Sequence, residues 1–99
     1  MKLIYEYPGA SPRFPYLVFH EEGGSYYKVR IQGRFLYVSR GATVIDRGGG
    51  EVDIPHVGAQ RRPIGDFVYD TPAQAEEAFA RFRAAPREAL ALVLAGHKP

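Results

Sequence analysis

Cysteine, tryptophan and asparagine are absent from the 99 residues, and Met1 is the only methionine. Without cysteine there is no disulfide frame, no thiolate-bound metal and no thiol nucleophile. The chain must therefore fold on its apolar core alone. At this length a domain buries roughly two-thirds of the surface its unfolded form exposes, which suffices for one well-patterned core and is too little for two domains. No window approaches the roughly 20 apolar residues of a membrane span. Met1 to Ala10 hold one lysine and then Tyr, Glu and Pro, without the apolar centre of a secretory signal, so a soluble, cytoplasmic protein is expected. Lysine is scarce: arginine outnumbers it ten to three. The depletion of thermolabile side chains is compatible with a thermophile, yet the lysine enrichment of hyperthermophiles is missing, and a GC-rich genome explains the bias equally well.

The net charge of +2 is too small to imply a polyanionic partner by itself. Its distribution is more informative. Between Tyr26 and Arg62 seven cations face three acids, a net of +4, which leaves −2 for the rest of the chain. Any anion would be met by the central part of the molecule.

That central part is patterned as strands. Lys2 to Tyr7 reads as a first strand ended by Pro8-Gly9, and Ser11-Pro12-Arg13-Phe14-Pro15 as an extended linker. Tyr16 to His20 is a second strand, apolar enough to lie inside a sheet. Glu21 to Ser25 forms a loop. In the third strand Tyr27, Val29 and Ile31 share one face, and Tyr26, Lys28, Arg30 and Gln32 the other, a period of two. The second set is expected to face solvent or a ligand. Gly33 permits a tight return. In the fourth strand, Arg34 to Ser39, both faces are apolar and the inward side stays open. Arg40-Gly41 is read as its end, with Ala42 to Ile45 a fifth strand or a continuation past a bulge. Asp46 to Gly65 reads as a long loop that could hide a short strand such as Glu51 to Ile54. Asp66 to Tyr69 is the last strand.

The switch to helix is sharply marked. Thr71 is a good N-cap, Pro72 suits the first helical position, and Gln74 stands where a capping box needs it. Ala75, Ala78, Phe79 and Phe82 form one apolar stripe. Pro86 breaks the segment after Ala84 and starts a second helix to about Ala95, stopped by Gly96. Leu90, Leu92, Val93 and Leu94 are apolar over more than one face, so they bury within the monomer or mark a dimer contact. The expected fold is α+β: an antiparallel sheet of five to six strands within residues 2–69, with helices 72–84 and 86–95 packed on one face.

The candidate chemistry follows from this layout. Nucleic-acid-binding sheets set cations against phosphates and aromatics against bases. Lys28, Arg30, Arg34 and Arg40 are the candidates for phosphate contacts, Tyr26 and Tyr37 for stacking. Arg47, beside Gly48-Gly49-Gly50 whose backbone N–H groups can turn around an anion, would form a clamp with Arg61 and Arg62. The glycine run is no P-loop, because the lysine and the hydroxyl residue after it are missing. Aromatics also stabilise sheets by ordinary cross-strand pairing, which Tyr26, Phe35 and Tyr37 could equally serve.

In element order, three strands followed by a helix opening Tyr69-Asp70-Thr71-Pro72-Ala73-Gln74-Ala75 resembles small DNA-binding domains of the integrase-arm and plant AP2 type, where a three-stranded sheet enters the major groove. The resemblance covers about half the chain, assigns no residue, and does not extend to the Asp46 to Gly65 insertion. The expected function is a non-catalytic nucleic-acid-binding module without metal or cofactor. Two alternatives stand beside it: a protein-interaction or self-assembling module joined through the Leu90 to Leu94 helix, and a small hydrolase or nuclease using His20 or His56. Neither histidine has the spacing of a metal site with its neighbouring acids.

Overall fold

A computed structural model describes residues 2–7, 16–21, 25–42 and 63–99. The element order is β1 (Lys2–Tyr7), β2 (Tyr16–His20), β3 (Ser25–Gln32), β4 (Phe35–Ala42), β5 (Pro63–Val68), α1 (Pro72–Ala84) and α2 (Pro86–Leu94). The strands form one sheet in sequence order, each antiparallel to its neighbour. The architecture is thus α+β, an antiparallel sheet followed by two C-terminal helices. Arg47, His56, Arg61, Arg62, the Gly48 to Gly50 run, the suggested Ala42 to Ile45 strand beyond Ala42 and the suggested strand at Glu51 to Ile54 lie outside the described residues.

Register follows from burial. Leu17 pairs with Val29 and Phe19 with Tyr27; Val29 pairs with Val38 and Ile31 with Leu36. All of these side chains join one core with Ala75, Ala78, Phe79 and Phe82 of α1 and Ala89, Leu90 and Val93 of α2. Because successive side chains alternate across a strand, slipping β3 by one residue would turn Lys28 and Arg30 into this core. Phe19 and Phe82, both almost wholly buried, lock sheet to helix with ring centroids 6.4 Å apart. The same alternation settles β4: Leu36 and Val38 point to the helices, and Phe35 and Tyr37 to the other face.

Local signals close the elements. The hairpin between β3 and β4 turns on Gly33 and Arg34, with Gln32 and Phe35 as the last pair. Only Gly33 of the two has a positive φ, 59°, as a type II′ turn requires. At α1 both arms of the capping box are made: Gln74 N–H donates to Thr71 Oγ1 at 3.3 Å, and Thr71 N–H donates to Gln74 Oε1 at 3.3 Å. Helix α2 ends in a Schellman motif, with Gly96 N–H bonded to Val93 O, His97 N–H bonded to Leu92 O and Gly96 at φ 82°.

Two sequence expectations need correction. Strand β4 does not stop at Arg40-Gly41 but runs through Gly41 to Ala42. Gly41 pairs with Tyr26, whose ring lies where a Cβ would be, so the glycine serves as a floor for the ring and not as a break. Strand β5 begins at Pro63 and not at Asp66. Among the described strands it is the last in the sheet, where proline at the first position forfeits little. Gly65 is needed because a side chain there would meet the Phe67 ring and, at 3.0 Å, Val93 Cγ1 of α2.

Candidate functional site

The helices cover the odd-numbered face of β3. Across the even-numbered face the cross-strand rows can be read directly: His20, Tyr26 and Gly41; Val18, Lys28 and Ser39; Tyr16, Arg30, Tyr37 and Asp66; Gln32, Phe35 and Val68. These rows are not equally open. Val18 and Tyr26 are both 0% exposed although neither belongs to the helix-side core. Exposure rises toward the hairpin turn, where Arg30, Gln32 and Arg34 are exposed and Phe35 and Tyr37 half-buried.

At this open end cations and rings are interleaved. The Arg30 guanidinium lies 4.7 Å from the centroid of Tyr37, its cross-strand partner. Lys28 Nζ lies 4.3 Å from the centroid of Tyr16. Arg34 approaches Phe35 at 5.9 Å. Phe35 and Tyr37, two residues apart on one strand, are nearly parallel with centroids 6.0 Å apart and an interplanar angle of 13°. A cation over a ring at an exposed site contributes about 0.5–1 kcal/mol. The larger consequence is pre-organisation: a guanidinium already held against a ring loses less rotamer freedom when it meets an anion. Arg30 is exposed beside its ring, and the acid of the same cross-strand row, Asp66, stands beyond Tyr37 on the next strand.

Of the residues marked in the sequence, Lys28, Arg30, Arg34 and Tyr37 come together on this surface. Tyr26 does not offer a ring to a ligand, because the ring is buried over Gly41. Arg40 does not share the face of Lys28 and Arg30. It pairs with Tyr27, so alternation sets it on the helix side, with its guanidinium 5.8 Å from the Tyr27 ring and Nη2 donating to Ser25 Oγ at 3.4 Å. There Tyr27 donates to Glu21 Oε2 at 3.3 Å, and burial first, then the Glu21 charge, pushes its phenol above the usual tyrosine value. Sequence reasoning left Phe35 among the sheet stabilisers and did not mark Tyr16 at all. Phe35 has the same parity as Tyr37 and could have been found from that; Tyr16 depends on its register with Arg30, which only the pairing reveals.

Other sites are weaker. Among the described residues His20 Nε2 is enclosed without a hydrogen-bond partner, and no three His, Asp or Glu side chains are placed to hold a metal ion. A cleft of about 290 Å³ lies between the start of α1 and the chain end. Asp70 and Glu77 offset Arg81 and Lys98 in its wall, Tyr69 donates to Pro99 O at 3.1 Å, and Lys98 Nζ covers the Tyr69 ring at 4.7 Å. No described helix is long and apolar enough to cross a membrane. Compared with known protein families, curated proteins and solved structures, the chain matches none.

Proposed function

We propose that the protein is a non-catalytic nucleic-acid-binding module and that the open end of the sheet is its binding surface. The observation that carries this reading is the Arg30 guanidinium over the Tyr37 ring, at the open end of the face away from the helices, with Lys28 over Tyr16 beside it. Such a surface matches the two components of a nucleic acid at once, charge against phosphate and flat rings against bases. The phosphate contacts are Lys28, Arg30 and Arg34. Arg40 is given no part in this surface, and Arg47, Arg61 and Arg62 keep their proposed role as an additional clamp. A cytoplasmic location belongs to the same proposal, in keeping with a cysteine-free composition.

Self-assembly through α2 is less well supported. Leu90 and Val93 are each 4% exposed and already occupied in the core. Leu92 and Leu94 remain outside, a small apolar area against the 1,200 Å² or more that stable interfaces bury.

The test is a titration of fluorescently labelled oligonucleotides by anisotropy across a range of salt concentrations. The three sheet contacts should give a log-log slope of roughly −2 to −3, each clamp arginine that also meets a phosphate should steepen it by about 0.7 to 0.9, and Arg30→Ala should reduce its magnitude by the same amount. Absence of binding to any nucleic acid at low salt, or an affinity indifferent to salt, would overturn the reading.

A further inference from the structure

Resting on that reading, we infer that the surface takes single-stranded nucleic acid and rejects the duplex, with the phosphates over β3 and two successive bases on Tyr37 and Phe35. Three features lead to this.

The first is spacing. Bases stacked in a strand of duplex are about 3.4 Å apart along the axis. The Phe35 and Tyr37 centroids are 6.0 Å apart, nearly twice that. Neighbouring bases can each meet one of these rings only if they have been separated and if Arg30 and Arg34, which lie over the same rings, move aside or sandwich them; only an unpaired strand has that freedom.

The second is width. A major groove about 12 Å wide admits a helix or a two-stranded ribbon. The five strands among the described residues, at roughly 4.8 Å spacing, are about 19 Å across, and the rings sit on β4, between β3 and β5. Nor does the β3–β4 hairpin project as a ribbon. Its last pair, Gln32 and Phe35, is flanked by Val68 of β5, and Tyr69 N–H donates to Arg34 O at 2.8 Å right at the turn. The groove-entering mode of the three-stranded domains that the element order resembles is closed to this sheet.

The third is charge asymmetry about the rings. On the β3 side of Tyr37 stands Arg30, with Lys28 two residues earlier; on the β5 side stands the exposed Asp66. Phosphates are drawn to the first side and repelled from the second. A strand lying along β3 thus points its bases across β4 toward β5, and their edges end at Asp66.

The experiment compares one sequence as single-stranded DNA, single-stranded RNA and the corresponding duplexes, with wild type, Arg30→Ala and Phe35→Leu. The expected result is at least tenfold tighter binding of one or both single strands than of any duplex. Phe35→Leu keeps an apolar side chain but removes the stacking face. It should weaken single-strand binding by at least about fivefold while leaving the salt slope unchanged, whereas Arg30→Ala should lower the slope. Circular dichroism verifies that both variants fold. Duplex bound as tightly as single strand, with the Arg30 effect retained, would overturn this inference and spare the nucleic-acid reading. No binding of any form would overturn both. The two single-strand arms show whether the sugar of DNA or of RNA is preferred.

Discussion

Gly41→Ala is a severe test of the packing described above, because one methyl group has nowhere to go. Built on the Gly41 backbone, its Cβ would stand 2.6 Å from the Tyr26 hydroxyl oxygen, 2.7 Å from Cε1 and closer still to Cζ. Tyr26 is 0% exposed, so the ring cannot swing into solvent. Overpacking of this kind typically costs about 1–3 kcal/mol, and unseating a buried aromatic altogether about 3–5 kcal/mol. Against this, alanine restricts the unfolded chain and recovers about 0.4–1 kcal/mol. The expected net loss is about 2 kcal/mol, a large part of the 5–15 kcal/mol typical of a domain. In a domain near this size that lowers Tm by roughly 8–16 °C. Urea and thermal unfolding followed by circular dichroism would measure it. The same change made in a Tyr26→Leu background should cost little or nothing, giving a coupling of at least about 1 kcal/mol in the double-mutant cycle. A Gly41→Ala protein as stable as the parent, or strictly additive behaviour with Tyr26→Leu, would refute the account of Gly41 as the floor of the ring.

Four further outcomes are expected. Gly65→Ala should destabilise by about 1–3 kcal/mol in the same unfolding assays, since its methyl group would collide with the Phe67 ring and press on Val93. Thr71→Ala removes the acceptor for Gln74 N–H and should cost about 1 kcal/mol, while Thr71→Ser should cost much less. Tyr27 and Tyr69 are both held above the ordinary tyrosine value of 10.0, chiefly by burial. A group raised in the folded state contributes stability that is complete below its unfolded value and disappears as pH rises through the folded one. Denaturation stepped through alkaline pH should therefore show a decline beginning near pH 10 that is shallower in the Tyr27→Phe/Tyr69→Phe protein; an unchanged decline would exclude these two groups. Asp66→Lys replaces the acid beside Tyr37 by a cation and should strengthen oligonucleotide binding at low salt and steepen its salt slope by up to about 0.7 per added phosphate contact.

Much of the fold was legible because short-range rules decide it. The period of two in Tyr26 to Gln32, the capping box from Thr71 to Gln74 and the Ala75, Ala78, Phe79, Phe82 stripe all concern residues within one or two turns of each other. Each places its element to within a residue or so. Helix α1 matches its expected limits, and α2 ends one residue early because its last turn becomes the Schellman cap. Gly41 was misread as a break for a related reason, and Gly65 was set at the end of a loop. In sequence a glycine signals backbone freedom; at Gly41 and Gly65 the requirement is instead for empty space beside a ring.

The candidate site divides along the same line. Strand alternation alone set Lys28 and Arg30 on one face away from Val29 and Ile31, since a side chain's face depends only on its own strand. What lies next to it depends on the partner strand. The sequence could not show that Tyr26 is covered while Arg30 on the same face is open, that Arg40 falls on the opposite side, or that Tyr16, Tyr37 and Asp66 line up with Arg30. Those are matters of register between segments distant along the chain. Register was chosen by the apolar contacts of Leu17, Val29, Val38 and the helices, so packing on one side of the sheet determined which cations and rings became neighbours on the other.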